Sequence, residues 1–431
     1  MMVPTVAVLG LVACRSGERP SAANPQCDEG NGGITLPPGF CAAVFADEIG
    51  VARHLVVTPA GDVYVALENA ERSSANSTRV SGENGRGGIM ALRDTNADGR
   101  ADIRFRINDG ASHSGMALQM PWLYSSTPTT VLRYRLDGAA LSRIGAPDTV
   151  VTGIPDGGHS SRSLALDESG NLFVNVGSDS NACWESGRGL DPCMELDERA
   201  GIWRYDAARL HQTHDASHRF ATGIRNAVGL VWNTADHALY ATQHGRDGLH
   251  NSYPKLYSVE KSDDTPSEEL LRVSAGDDYG WPYCYHDRVL RRRVLAPEYG
   301  GDGNRPGRCV DKKLPVAAFP GHWGPDGLQF YRGTQFPARY RDGVFITFHG
   351  SWNRNGPQDG YKVVFQPFAN GGPADSSETF ADGFAGKRKY PRFADHRPVG
   401  LAEGPDGSLY ISDDQRGRIW RVTYSAGKGS P

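Results

Sequence analysis

The sequence predicts an all-β fold, a six-bladed β-propeller with a loop-rich capping insertion. Composition is the first observation behind it. The 431 residues include 53 glycines and 27 prolines, and inside a helix Gly costs about 1 kcal/mol and Pro about 3. A mostly helical chain is therefore excluded. A hydrophobic content of 39% and a mean hydropathy of -0.48 exclude a bundle of membrane helices. Eight Trp, 17 Tyr and 15 Phe supply core material and exclude a disordered chain. The second observation is a recurring unit of apolar strand, Asp/Gly turn and second apolar strand. The third is its spacing, roughly fifty residues between copies, which is the period of propeller blades.

The elements run as follows. Residues 1–13 read as a signal peptide, with the apolar run Val3 to Ala13 ending in Leu11-Val12-Ala13-Cys14. A Cys directly after that pattern resembles the lipobox of bacterial lipoproteins, so the expectation is an exported protein, periplasmic or anchored to a membrane through lipid on Cys14. Residues 14–33 are polar and rich in Gly, Ser, Pro and Asn, which suits a flexible tether. The propeller is expected over residues 34–425. Its first copy is Leu55-Val56-Val57, Ala60-Gly61-Asp62, Val63-Tyr64-Val65. Further full copies start at Leu164, Leu230 and Leu401, and degenerate ones at Met116 and Leu328. Phe40 to Phe45 is expected to supply the outer strand that closes the ring onto the last blade. Residues 262–321 are too long for a turn and are read as the insertion.

Export permits disulfides. Seven cysteines leave six once Cys14 is set aside. Many connectivities are open, and sequence-local pairing is the economical choice: Cys27–Cys41, Cys183–Cys193 and Cys284–Cys309. No haem motif or paired metal ribbon occurs. The net charge of -4 gives no reason to expect a nucleic-acid partner, and Lys387-Arg388-Lys389 reads as a solvated loop.

Loops entering the innermost strands of a propeller share one rim, where functional side chains collect. His and Arg recur at that phase: His113, His159, Arg225 with Asn226, and His396 with Arg397 open blades, while His244 and His349 follow second strands. Several convergent His and Arg residues suit an anionic, oxygen-rich ligand. Separately, Asp94, Asn96, Asp98 and Asp102 alternate oxygen side chains before a Gly turn. Either a calcium ion or a plain Asp/Asn/Gly hairpin turn accounts for them.

At these residues the sequence resembles the pyrroloquinoline-quinone (PQQ)-dependent sugar dehydrogenases of the soluble glucose dehydrogenase and L-sorbosone dehydrogenase type, and the sorbosone-type branch fits better. The resemblance spans Leu36 to Val422. Its most specific stretches are Leu36-Pro37-Pro38-Gly39-Phe40, Arg225-Asn226-Ala227-Val228-Gly229-Leu230, Tyr279-Gly280-Trp281-Pro282, His349-Gly350-Ser351-Trp352-Asn353-Arg354 and Arg397-Pro398-Val399-Gly400-Leu401. It implies a PQQ- and calcium-dependent oxidoreductase that oxidises an aldose or sorbosone-type sugar at C1 by hydride transfer to the quinone. It implies an external electron acceptor, a cytochrome or a quinone. The implied catalytic base is His159, oriented by Asp179 or alternatively by Ser178, with Arg225 near the reduced oxygen. The implied cofactor contacts are His113, Arg225, Asn226, His244, His349, Arg354 and Arg397. The implied calcium ligands are the backbone carbonyls of Gly245 and Arg246. His349 stands where the glucose-type branch has Lys, and His113 and His244 where it has Gln. Two other classes remain: a calcium-dependent lactonase-type propeller, which needs central carboxylates, and a non-catalytic propeller that binds sugar or protein.

Overall fold

Each two-strand unit of the sequence becomes the inner half of one sheet. The computed structural model describes residues 26–71, 80, 82–369, 371–374 and 376–426. The signal-peptide and lipobox readings lie outside the described residues. Among the described residues no helix is long and apolar enough to cross a membrane.

Six sheets, antiparallel except for the edge strand Gln212–Thr213 of the second, follow one another in chain order as the six blades of a β-propeller. Blade 1 is Val51–Val57, Val63–Glu68, Gly87–Arg93 and Ile103–Gly110. Blade 2 starts at Met116–Gln119, blade 3 at Leu164–Leu166, blade 4 at Leu230–Asn233, blade 5 at Pro325–Phe330 and blade 6 at Pro398–Glu403. All six first strands line one axial channel, with a cavity of about 350 Å³.

The second strands explain why their sequence is apolar at consecutive positions. Side chains alternate faces along a strand, and here both faces are covered. In blade 1, Val63, Val65 and Leu67 pack with Phe45, Tyr410 and Ile419 of blade 6. Tyr64 and Ala66 pack with Met116, Leu123 and Tyr134 of blade 2. Comparable clusters fill the other four blade interfaces.

Around the axis, each blade is joined to the next by a side chain facing a backbone carbonyl. His54 Nδ1 approaches Ser114 O at 3.0 Å, and Ser126 Oγ donates to Arg162 O at 2.5 Å. Ser163 Oγ donates to Val228 O, Thr242 Oγ1 to Pro325 O at 2.8 Å, and Thr347 Oγ1 to Val399 O at 2.5 Å. Ser412 Oγ donates to Arg53 O at 2.6 Å, which closes the circle. The approach is tight enough to demand glycine: a Cβ on Gly115 would lie 2.0 Å from Arg162 O, and one on Gly327 2.2 Å from Val399 O.

Phe40–Ala46 pairs antiparallel with Ile419–Tyr424, so the N-terminal strand is the outer strand of blade 6. The ring closure expected for Phe40 to Phe45 is present. The three disulfides are those of the local pairing, Cys27–Cys41, Cys183–Cys193 and Cys284–Cys309.

The insertion is narrower than residues 262–321. Glu268–Val273 pairs with Ala238–Gln243, and Ala317–Phe319 pairs with Glu268–Val273, so both are strands of blade 4. The blade strand is masked in sequence because it opens on two buried acids. Glu269 is ion-paired with Arg293 at 2.6 Å, and Glu268 accepts from Gly245 N at 3.0 Å. The true insertion lies between these strands and carries the hairpin Cys284–Asp287 and Arg292–Leu295. It leans on the loop of the second disulfide, where Tyr299 Oη donates to Cys183 O at 2.8 Å and Cys193 N to Tyr283 Oη at 3.0 Å.

Thr242 tests the axial ring. Its hydroxyl accepts from Gly229 N at 2.9 Å while donating to Pro325 O. Thr242→Val strands both buried backbone groups and lowers stability by about 1–3 kcal/mol in denaturant unfolding, whereas Thr242→Ser retains it.

Candidate functional site

The beginnings of the first strands and the ends of the second strands meet on one rim, and three groups of polar residues gather there. The first surrounds His159, in the loop entering blade 3. Its Nδ1 lies 2.8 Å from Ser178 O and 3.0 Å from Ser178 Oγ. With Nδ1 donating to that carbonyl, Nε2 carries the lone pair. Burial, and then the neighbouring Arg225 guanidinium, push the imidazole down to about 3, so it is neutral at ordinary pH. The orienting partner is thus Ser178, and Asp179 is a correction. One step along an extended backbone reverses the side chain: Ser178 is buried, while Asp179 points outward with its carboxylate 3.9 Å from Arg199.

The second group holds Arg225. Its guanidinium donates to Asn181 O at 3.2 Å, Asn181 Oδ1 at 3.0 Å and Gly245 O at 3.0 Å, and pairs with Asp247 at 2.8 Å. Asn181 Oδ1 also accepts from Asp247 N at 2.8 Å, and Asn181 Nδ2 donates to Asp247 O at 3.0 Å. His322 adds a contact to Asp247 at 3.2 Å. Burial would raise the Asp247 pKa, but Arg225 and His322 outweigh it and hold the carboxyl well below its usual range. Asn226, the next residue, is 6% exposed, and its Oδ1 has no partner among the described residues. It flanks Gly177 together with His159: a Cβ on Gly177 would lie 3.0 Å from that oxygen and 2.6 Å from His159 Cβ.

The third group stands at the axis. Arg53 lies 2.8 Å from Asp414, 3.4 Å from Asp326 and 3.7 Å from Glu68. His244 Nε2 lies 3.0 Å from Asp326, and His349 Nε2 2.9 Å from Asp414. Burial works against charge on His244, but Asp326 outweighs it and raises the imidazole above its ordinary value. Burial likewise opposes ionisation of Asp414, yet His349 and Arg53 bring its carboxyl down to about 2. Asp326 is also held well below the usual carboxylate range by His349, His244 and Arg53.

Several residues expected at the site are not brought to it. His113 is fully buried, bonded to Ser125 Oγ and Asn108 Nδ2 at 2.9 Å each, and burial lowers it to about 4. Arg354 spends its donors on the carbonyls of Asp263, Gly321 and Pro357, which fixes its own loop. Arg397, by contrast, stands beside the axial group, where its charge helps lower the Asp414 pKa, but it is 4% exposed and donates to His349 O and Gly350 O, binding blade 6 to blade 5. At Arg246 the expected ligand is the backbone carbonyl, and the side chain turns away to pair with buried Glu298 of the insertion. The Asp94 to Asp102 segment is the hairpin turn between Gly87–Arg93 and Ile103–Gly110, with Asp94 accepting from Gly99 N at 2.8 Å and Asp102 from Thr95 N at 2.6 Å.

The quinone cofactor implied by the resemblance fits the His159 side of the rim. The unpartnered Asn226 oxygen marks a place where a polar ligand is needed, and Arg225 and His159 are beside it. The Gly245 carbonyl expected to hold calcium accepts from the Arg225 guanidinium at 3.0 Å and keeps a second lone pair for a cation. Sequence reasoning missed Arg53, Glu68, Asp247, His322, Asp326 and Asp414. Asp414 was legible by phase, since it ends the second strand of blade 6 as His244 and His349 end theirs.

The family model described as TrAA12-like matches residues 34–425. An uncharacterised protein of Borreliella burgdorferi is 28% identical over 269 residues, covering 62% of this chain and 61% of that protein. The pyrroloquinoline quinone-dependent pyranose dehydrogenase of Coprinopsis cinerea is 26% identical over 322 residues, covering 65% of this chain and 41% of that one. The chain thus matches less than two thirds of the length of either relative. The solved iodide structure of the carbohydrate-active family AA12 protein from Trichoderma reesei superposes with a TM-score of 0.74 at 20% identity, covering 94% of this chain and all of that one.

The axial carboxylates make stability depend on acid in a defined direction. Asp414 and Asp326 hold protons less tightly folded than unfolded, where a carboxyl titrates near ~3.9, so the unfolded chain takes up protons first. Their stabilisation is full above about pH 4 and is lost as pH falls toward about 2. Unfolding midpoints measured from pH 5 downward should fall steeply for the parent and less steeply for Asp414→Asn.

Proposed function

Because the chain belongs to the TrAA12-like family, its family match running over residues 34–425, we propose that it is a PQQ-dependent sugar dehydrogenase. The observation that carries the reading is the placement of His159 on the rim. Its Nδ1 is fixed by Ser178 and its Nε2 is left open, next to Arg225 and the unpartnered Asn226 oxygen.

The chemistry follows from those residues. PQQ, when bound, supplies an acceptor for the hydride of the sugar C1–H bond. His159 Nε2 takes the proton of the C1 hydroxyl, and its low pKa keeps it free to do so across the whole physiological range. Arg225 is held rigid by Asn181, Asp247 and the Gly245 carbonyl, so it offers a fixed positive charge to the oxygen that becomes negative. His244 and His349 border the same rim and supply polar contacts to the cofactor. Electrons then leave to an external acceptor, a cytochrome or a quinone. The disulfides suit an oxidising compartment, and export with lipid on Cys14 is part of the proposal.

A calcium-dependent hydrolase needs central carboxylates around a metal. Three carboxylates do gather at the axis, but the Arg53 guanidinium stands among them and His244 and His349 contact Asp326 and Asp414, so they are engaged by protein groups rather than arranged around an ion.

Adding PQQ to the purified protein and following absorbance as aldoses are supplied tests the reading. Reduction of the quinone is expected; lactone opening without quinone, or no reaction at all, overturns it. His159→Ala should retain PQQ and lose turnover by about 10²–10⁴-fold. In the parent, the acid limb of kcat/KM should lie below about pH 5, because burial and the Arg225 charge push His159 down to about 3. A limb near ~6.5, the ordinary histidine value, would assign the proton to another group.

A further inference from the structure

Outside the funnel, one rim segment departs from the acidic character of the chain. Lys387, Arg388, Lys389 and Arg392 are all exposed. Among the described residues Lys387, Arg388 and Arg392 form no ion pair. Two neighbouring loops carry three exposed aromatic rings: Trp352 at 63% on one, Tyr390 at 49% and Phe393 at 47% on the other. Arg388 lies 5.2 Å over the Phe393 ring, and the Tyr390 and Phe393 ring centres are 6.4 Å apart.

These residues come from two loops that are fastened together. Asp359 N donates to Ser351 Oγ and Ser351 N to Asp359 O, each at 2.8 Å. The Asp359 carboxylate then pairs with Lys389 at 3.0 Å. Trp352 follows Ser351, and Tyr390 follows Lys389, so the bridge fastens together the two loops that carry the exposed rings. The patch also reaches the funnel wall directly. His349, two residues before Ser351, pairs with Asp414, and Gly350 O accepts from Arg397.

Large exposed aromatic surface on a rim marks a binding site. Flat rings suit the C–H faces of pyranose units, while guanidinium and ammonium groups suit carboxylates. The geometry points to an anionic saccharide chain, of uronate type, as the occupant: its sugar faces stack on Trp352, Tyr390 and Phe393, its carboxylates meet Lys387, Arg388 and Arg392, and its end enters the funnel. This deepens the sugar-oxidising reading and rests on it for what enters the funnel. An acidic protein surface would meet the same cations, but it has less use for exposed aromatic rings beside them.

The test is a binding titration of the protein without cofactor, so that it stands apart from turnover. Oligogalacturonate is compared with a neutral malto-oligosaccharide of equal length, and dextran sulfate serves as a bare polyanion. Oligogalacturonate should bind more tightly than the neutral chain and weaken as salt is raised to about 0.5 M. Trp352→Ala should weaken oligogalacturonate binding by roughly tenfold or more while leaving dextran sulfate binding unchanged. Lys387→Glu with Arg388→Glu should weaken both. Unaltered thermal unfolding of the variants confirms that these exposed positions leave the fold intact. Equal binding of the neutral chain overturns the proposal, as does oligogalacturonate affinity indifferent to Trp352→Ala, which is the result for a site that reads charge alone or docks an acidic protein. Quinone reduction by sugars with no oligogalacturonate binding would spare the dehydrogenase reading and remove this one.

Discussion

The close approach of six backbones around one axis is the constraint on which the rest of this structure depends. Each blade meets the next through a polar side chain on a carbonyl, from His54 and Ser114 round to Ser412 and Arg53. The Ser and Thr hydroxyls are single donors and can also accept. Thr242 and Ser412 therefore hold their own blade's glycine N–H and the neighbour's carbonyl together. The ring fixes the height of every inner strand relative to its neighbours. Residues at one sequence phase consequently arrive on one rim, and that is what makes a site out of six separate loops.

On the rim, burial and charge separate the histidines into different roles. His159 sits beside Arg225 and is pushed toward the neutral form, whereas His244 sits beside Asp326 and is pushed toward the charged one. Opposite displacement of similar groups within one cleft is the pattern of a site that needs both a base and a fixed charge. Arg53 makes this arrangement tolerable. Without its guanidinium, Glu68, Asp326 and Asp414 would bring three carboxylates together at the axis with too little positive charge to balance them.

The insertion and the second disulfide act on the same site from outside. Cys183–Cys193 closes a loop that begins two residues after Asn181, and Trp281 of the insertion donates to Asn181 O at 3.0 Å. Asn181 in turn holds Arg225 and Asp247. A covalent link, an aromatic residue and an amide thus fix the orientation of the guanidinium that faces the funnel.

By itself the sequence determined the two inner strands of each blade, the number of blades and their order, because burial on both faces leaves apolar runs such as Val63 to Leu67. It also determined the three disulfides and the presence of His159 and Arg225 on the rim. It misjudged residues 262–321, where Glu268 and Glu269 gave an interior strand the look of a loop. Only the tertiary structure decided which polar residues face one another. Ser178 and Asp179 differ by one position in sequence and by opposite sides of the chain in space. His113 and His159 share a phase, yet Asn108 and Ser125 bury the first while the second keeps a free nitrogen. Arg53, Asp326 and Asp414 lie up to 361 residues apart and meet only because the ring closes. Phase along a repeat is a local property that residues carry with them; the partner across an axis is set by closure, and closure belongs to the whole chain.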